Sequence, residues 1–353
     1  MFDCVKREIR PSADQAGYLS KCFGHTRWYW NYLVDCGKSK VRAKSYADLK
    51  QEGFDWLSEI PAQALANAKL HYQQAWKNVR THTAPPTFHS RRGRQSFTVC
   101  CQGESWLQGN LVFVPKLKSG MRIMGEAMPN KGVLKSAACS LEPDGKYYAP
   151  FLFDCANPEP LPHTDKKIGL DVGIETFCTT SDGEKIKLPN LKDKEQKAIR
   201  EQKRLSRKAK GGKNRRKQKI KLARAHKAVG GARRDFQRKL SKKITDENQV
   251  IVIEGLATKN MLKNHRLARA IARQGWRQFA GMLQYKAERK GRTLVKAGRW
   301  HPSSRICSAC GSRGTRKPLS VRVWQCLDCG AIHDRDINAA INILTAGTAG
   351  IAC

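Results

Sequence analysis

The chain has 353 residues, enough for two or three domains of ordinary size, and its 40% hydrophobic content can build real cores. Its 67 lysines and arginines stand against 30 aspartates and glutamates, a formal net charge of +37. A charge of that size repels itself in a compact fold and far exceeds what solubility needs, so it implies a polyanionic partner, of which nucleic acid is the commonest.

Along the chain, residues 1–160 read as mixed α and β. Tyr18–Cys36 is a predicted helix dense in aromatics, with Trp28, Tyr29, Trp30 and Tyr32 assigned to a core rather than to base stacking. Pro61–Arg80 is a second, with Pro61 at its start. Beyond Pro85-Pro86 come short apolar runs, Leu111–Val114 and Met121–Met124. Ala138–Leu141 and Tyr147–Phe153 then flank Pro143-Asp144-Gly145 as a hairpin. A helical subdomain beside or within a small β-barrel is the expected arrangement.

The prolines of Asn157–Lys167 mark a domain boundary. Lys167–Asp171 is a strand ending in an acid, and Phe177–Thr180 and Ile186–Leu188 continue an antiparallel meander. From about Asn190 to Lys243 the sequence is basic and helix-favouring, with breaks expected at Gly211-Gly212 and Gly230-Gly231. Gln249–Ile253 is a buried strand, and Trp276, Phe279, Ala280 and Leu283 keep helical spacing. Thr293–Ala297 is another strand, and a final helix starts near Asp334. This order fits an RNase H-like fold.

Residues 161–353 hold 45 basic and 16 acidic residues, against 22 and 14 in residues 1–160, so the second half is the more cationic. No apolar run reaches membrane-spanning length, and MFDCVKREIR lacks the apolar core of a signal peptide. The 13 cysteines, odd in number, fit a reducing compartment. Cytoplasmic or nucleoid-associated location, with no membrane partner, is the expectation.

The strongest chemical signal is Cys307-x-x-Cys310, fifteen residues, then Cys326-x-x-Cys329. Gly311 and Gly330 follow the pairs and permit the turn that aims two thiolates at one ion. Four thiolates with no open position make a structural zinc site, and such a ribbon folds only with its metal. Arg305, Arg313, Arg316, Lys317 and Arg322 make it cationic. The second signal is three acids at the ends of apolar segments: Asp171, Glu254 and Asp336. Burying any of them unpaired is costly. Together they offer the oxygen ligands of two divalent cations, Mg2+ or Mn2+, for phosphodiester hydrolysis. Position alone does not choose between Asp334 and Asp336; Asp334 sits where a helix cap would, Asp336 in the first turn. The third signal is the one-signed basic run, including Arg215, Arg216, Lys217, Arg233 and Arg234, assigned to phosphate contacts whose release of counterions would make binding steeply salt-dependent.

This ensemble resembles the transposon-encoded TnpB/OrfB family, relatives of type V CRISPR effectors. The resemblance runs through Gly-Leu-Asp171-Val-Gly-Ile, Ile-Glu254-Gly-Leu, Gly275-Trp276-Arg-Gln-Phe279, the Pro302–Gly311 knuckle segment and His333-Asp-Arg-Asp336-Ile-Asn338-Ala-Ala-Ile-Asn342. A looser match near Arg27–Asn31 and Pro86–Arg92 adds Arg91 and Arg92 as nucleic-acid contacts. It implies an RNA-guided DNA endonuclease with one RuvC site, carrying a guide RNA and cutting a double-stranded DNA target. The implied organisation is a recognition region (1–160), a RuvC/RNase H-like nuclease domain (161–303 and 334–353) and an inserted zinc ribbon (304–333). A nuclease-inactive RNA-guided repressor, a zinc-ribbon accessory factor of transposition and a DDE-type transposase are the rival readings.

Overall fold

The computed structural model describes residues 1–79, 83–100, 106–126, 128, 132–298, 301–315, 317–318 and 320–349. Arg80, at the end of the expected second helix, and Arg316, in the expected ribbon, lie outside the described residues. The chain divides into two compact units, residues 1–156 with 203–224, and residues 157–202 with 225–353.

In the first unit, β1 (Phe2–Arg10) leads into α1 (Ala13–Lys38), α2 (Tyr46–Gln51) and α3 (Ala62–Val79). Strands β2 (Gln95–Cys100), β3 (Leu107–Gln108), β4 (Leu111–Val112), β5 (Met121–Ile123), β6 (Val133–Leu141) and β7 (Tyr147–Asp154) follow. They form one antiparallel sheet in the order β2-β6-β7-β1-β5-β4-β3. Ser12 opens α1 with a capping box, its hydroxyl accepting from the Gln15 N–H while the Gln15 side chain accepts from the Ser12 N–H. The aromatic cluster divides. Tyr29 is fully buried, and Trp28 packs edge-on against Trp56 at 4.9 Å between ring centroids. Trp30 instead stacks on His89 at 4.4 Å and donates from its indole to the Thr87 carbonyl.

The helices α4 (Lys192–Ser206) and α5 (Lys213–Glu247) are separated at Gly211, whose φ is +91°. Contrary to expectation, α5 runs unbroken through Gly230-Gly231. Glycine costs a helix about 1 kcal/mol relative to alanine. The flanking turns outweigh that cost by burying Ala225, Gln237, Leu240 and Ile244.

The second unit holds a five-stranded mixed sheet: β8 (Lys167–Asp171), β9 (Cys178–Thr180), β10 (Lys185–Ile186), β11 (Val250–Glu254) and β12 (Thr293–Ala297). Its order is β10-β9-β8-β11-β12, antiparallel from β10 to β8 and parallel from β8 to β12. The strands carry apolar residues on both faces because helices cover both. Ile168, Leu170, Ile251 and Ile253 pack with Leu240 and Ile244 of α5, Ile271 of α7 (His265–Gln274) and Trp276, Phe279 and Leu283 of α8 (Trp276–Lys290). Between β11 and α7 lies the short α6 (Thr258–Met261). Val250 and Val252 face α9 (Arg335–Thr348), with Ile343 against them. That approach is close: a Cβ on Gly169 would collide with the Ala340 carbonyl and Leu344. Ahead of α9, β13 (Val323–Gln325) and β14 (Ile332–Asp334) form a separate antiparallel hairpin.

Candidate catalytic site and metal centre

Register decides where the acids point. In the parallel pair β8/β11, Lys167 lies beside Val250 and Gly169 beside Val252. Side chains alternate across a strand, so Asp171 and Glu254 emerge on the same face as Gly169 and Val252, the face covered by α9. Asp336 occupies the first turn of that helix. Three acids far apart in sequence thus arrive at one edge of one sheet.

The carboxyl of Asp171 is sunk at the end of its strand although the residue keeps some exposure. Burial, reinforced by the negative charges of Glu254 and Asp336, pushes its pKa up to about 8. Burial also raises the Glu254 carboxyl. Asp336 receives Arg322, whose guanidinium reaches it at 3.4 Å and Glu175 at 2.6 Å. Asp334 is the cap of α9: one carboxylate oxygen accepts from the N–H groups of Asp336 at 3.1 Å and Ile337 at 3.2 Å, and the other meets Lys185 at 2.6 Å. Burial would raise Asp334, but Lys185 and these two donors outweigh it and hold the carboxyl below the usual carboxylate range.

The four cysteines converge. All four sulfurs lie within 4.8 Å of one another, with Cys307–Cys329 at 3.6 Å and Cys310–Cys326 at 3.7 Å. A tetrahedron with metal–sulfur bonds of about 2.3 Å has edges of about 3.8 Å, so the donor set fits one zinc ion. Gly311 and Gly330 adopt φ of +78° and +72°, and their N–H groups donate to the Cys307 and Cys326 carbonyls. Among the described residues, the acids do not converge this tightly. Buried Trp324 packs beside the cluster, and His333 places Nε2 3.0 Å from the Cys307 sulfur.

Asn338 and Asn342 carry the connection between the two sites. They stand four residues apart on one buried face of α9, 1% and 5% exposed. Both side-chain amides donate to the Ile306 carbonyl, at 2.8 and 2.7 Å, and the Asn338 oxygen accepts from the Ser308 N–H at 2.9 Å. The knuckle bearing Cys307 is thereby fastened to the helix bearing Asp336. Two asparagines at helical spacing inside an apolar helix were the available signal.

The basic candidates separate. Arg215 donates to the Leu205 and Lys208 carbonyls, and Arg233 to those of Ala272 and Arg273, so each satisfies carbonyls at a helix end. Arg91, Arg92, Arg216, Lys217 and Arg234 are exposed.

Three regions match protein-family descriptions: OrfB_IS605, "Probable transposase", over residues 150–265; the Cas12f1-like TNB domain over 276–343; and the OrfB_IS605 helix-turn-helix domain over 4–39. A Streptomyces pristinaespiralis protein provisionally named an RNA-guided DNA endonuclease is 36% identical over 374 residues, covering 100% of this chain and 92% of the relative. The Escherichia coli K12 protein InsQ, provisionally given the same activity, is 32% identical, covering 100% and 94%. The chain belongs to this transposon-encoded OrfB family. In fold it is similar to the protein in a solved Cas12f1–sgRNA–target DNA complex, with a TM-score of 0.61 at 12% identity, covering 94% of this chain and 83% of that one. No described helix is long and apolar enough to cross a membrane.

Proposed function

We propose that the chain is an RNA-guided DNA endonuclease of transposable-element origin, cutting at a single RuvC site formed by Asp171, Glu254 and Asp336. The observation that carries this reading is the arrival of these acids at one sheet edge, with Asp171 raised to about 8 in part by the other two. Like charges gathered at a buried edge need a cation, and carboxylate oxygens suit Mg2+ or Mn2+. Bound there, two such ions would activate a water and stabilise the leaving oxygen of a phosphodiester. The chain's own residues do the rest. Asp171 and Glu254 are fixed by paired strands, Asp336 by a capped helix, and Cys307, Cys310, Cys326 and Cys329 hold a structural zinc ion.

The organisation that goes with this reading is the one the sequence implies. Residues 1–160 are a barrel-type recognition region with a helical insert, 161–303 and 334–353 an RNase H-like nuclease, and 304–333 its ribbon. The exposed Arg91, Arg92, Arg216, Lys217 and Arg234 contact phosphates of a guide RNA and its double-stranded DNA target, in keeping with the net charge of +37.

Co-expression with flanking transposon sequence, sequencing of the RNA that co-purifies and cleavage of a plasmid bearing the matching site test the proposal. Wild type cuts with magnesium. Asp171→Ala keeps the RNA and shifts the DNA in a gel, with cutting reduced by at least about a thousandfold. Wild-type cutting by Asp171→Ala removes the acid from the site, and recovery of the protein without RNA removes the guide.

A further inference from the structure

Residues 172–177 join β8, which ends in Asp171, to β9, and this joint is pinned by a residue from α7. Gly173 closes it by donating to the Phe177 carbonyl at 3.4 Å. Gln274, the last residue of α7, is 5% exposed, and its side-chain amide donates to the Ile174 carbonyl at 2.6 Å. The Gln274 backbone carbonyl in turn accepts from the side-chain amide of Gln237, fully buried on α5, at 2.8 Å. Next to Ile174 comes Glu175, whose exposed carboxylate lies 2.6 Å from the Arg322 guanidinium. The same guanidinium stands 3.4 Å from Asp336. Arg322 is thus shared between two carboxylates and sits closer to the one outside the proposed metal site.

Resting on the nuclease reading above, we infer that Gln274 and Glu175 are positioning residues that hold Arg322 back from Asp336 and so leave that carboxylate open to a divalent cation. A guanidinium forks across both oxygens of a carboxylate. Seated that way on Asp336, Arg322 would cover the oxygens that a metal ion takes. Glu175 competes for it. An exposed ion pair is weak when both side chains must be ordered to make it. Glu175 starts from an ordered backbone, because the residue before it is held by the buried Gln274 amide, and Gln274 is held by Gln237. The contacts act in sequence: α5 fixes the end of α7, Gln274 fixes the loop, the loop aims Glu175, and Glu175 restrains the arginine. Cutting this chain of contacts removes no metal ligand. It admits a competing cation.

The test measures metal binding directly, from the electron paramagnetic resonance signal of free Mn2+ titrated with the full chain and its co-purifying RNA. The Asp171→Ala complex, prepared alike, supplies the binding due to RNA alone. Gln274→Met keeps the side chain's length and loses its donor. Glu175→Gln keeps the shape of an exposed side chain and loses its charge. Each should weaken Mn2+ binding about tenfold, the lower end of what a change just beyond the ligands costs a metal site. The magnesium concentration giving half-maximal cleavage should rise in step. Adding Arg322→Gln to either variant should return Mn2+ binding to the wild-type level, because the competitor is gone. A purely structural loss is not reversed by removing a second side chain. Should Gln274→Met fail to fold, Glu175→Gln with and without Arg322→Gln decides alone. Unchanged binding in Glu175→Gln, or a loss that persists once Arg322 is gone, overturns the proposal. Equal Mn2+ binding by wild type and Asp171→Ala instead overturns the metal-site reading on which it rests, so the two failures are distinct.

Discussion

The four thiols and the three acids sit in the same unit, at opposite ends of one fastening, and are built on opposite terms. The thiols come from two short knuckles whose glycines and backbone hydrogen bonds close them locally, and their sulfurs meet within 4.8 Å. The acids come from positions 171, 254 and 336, brought together by strand pairing and helix packing, and they push against one another electrostatically. A structural centre can be finished by its own turns. The proposed reactive centre instead gathers like charges at one sheet edge, a crowding that a bound cation would relieve.

The largest expected effect breaks the closed side. Cys307→Ser or Cys329→Ser removes one of the four thiols of the proposed zinc site, and in small zinc modules the metal supplies folding free energy on the order of 10 kcal/mol. Zinc by elemental analysis should fall to background and the ribbon should lose protection from proteolysis. Cleavage should fall with it, because Ile306 and Ser308 then no longer anchor Asn338 and Asn342. A variant that lost zinc yet cut at the wild-type rate would make the ribbon dispensable.

The open side predicts the reverse, a substitution that stabilises while it inactivates. The folded-state pKa of Asp171, about 8, lies above its ordinary value of 3.8, so the folded chain holds a proton that the unfolded chain has released. Stability from this group is complete below pH 4 and is lost as pH rises towards and through 8. Asp171→Asn removes that loss. In zinc-loaded protein without magnesium, its melting temperature should exceed wild type by more at pH 8 than at pH 5, and magnesium should narrow the gap by stabilising wild type alone. A gap independent of pH would mean that neither burial nor the neighbouring acids raise the Asp171 carboxyl.

Which parts were legible in the sequence follows the same division. The ribbon was readable because its ligands and turn glycines are neighbours in the chain. Strands β8 and β11 were readable because helices cover both faces, so their apolar runs are short, buried and continuous. The first strand was not, since Phe2–Arg10 carries Asp3, Lys6, Arg7, Glu8 and Arg10 in the middle of a sheet. Ion pairs such as Lys146 with Glu8 at 2.6 Å and eight register partners on β7 make it a strand, and neither is a local signal. Arg215 and Arg233 read as phosphate contacts because charge is visible in sequence, whereas the helix-end carbonyls they meet depend on tertiary packing.

A smaller effect sharpens the comparison by cutting the link between the two sites. Asn338→Ala leaves the Ser308 N–H without its acceptor and removes a donor from Ile306, a loss of about 1–3 kcal/mol for a buried polar group left unpaired. Zinc should be retained, since no ligand is touched. The magnesium concentration giving half-maximal cleavage should rise several-fold, because Asp336 is less firmly placed relative to Asp171 and Glu254. An unchanged magnesium requirement with reduced stability would make the asparagine a packing residue only.

The smallest expected effect separates the two acids at the start of α9. Asp334 spends both carboxylate oxygens locally, one on the N–H groups of Asp336 and Ile337 and one on Lys185. Its depressed pKa means that this contribution is present above the unfolded-state value near 4 and is lost as pH falls through the folded one. Asp334→Ala should therefore cost about 1 kcal/mol, the usual worth of a cap, and leave most of the cleavage in place. Asp336 has no such local duty: its side chain meets only Arg322, at 3.4 Å, among the described contacts, and it is one of the charges that raises Asp171. Asp336→Ala should be folded, zinc-loaded and inactive. Melting temperature, zinc content and cleavage measured on both variants decide the matter, because a cap and a metal ligand fail in different columns of that comparison. An inactive Asp334→Ala beside an active Asp336→Ala would put the third acid half a turn earlier and detach Asp336 from the site.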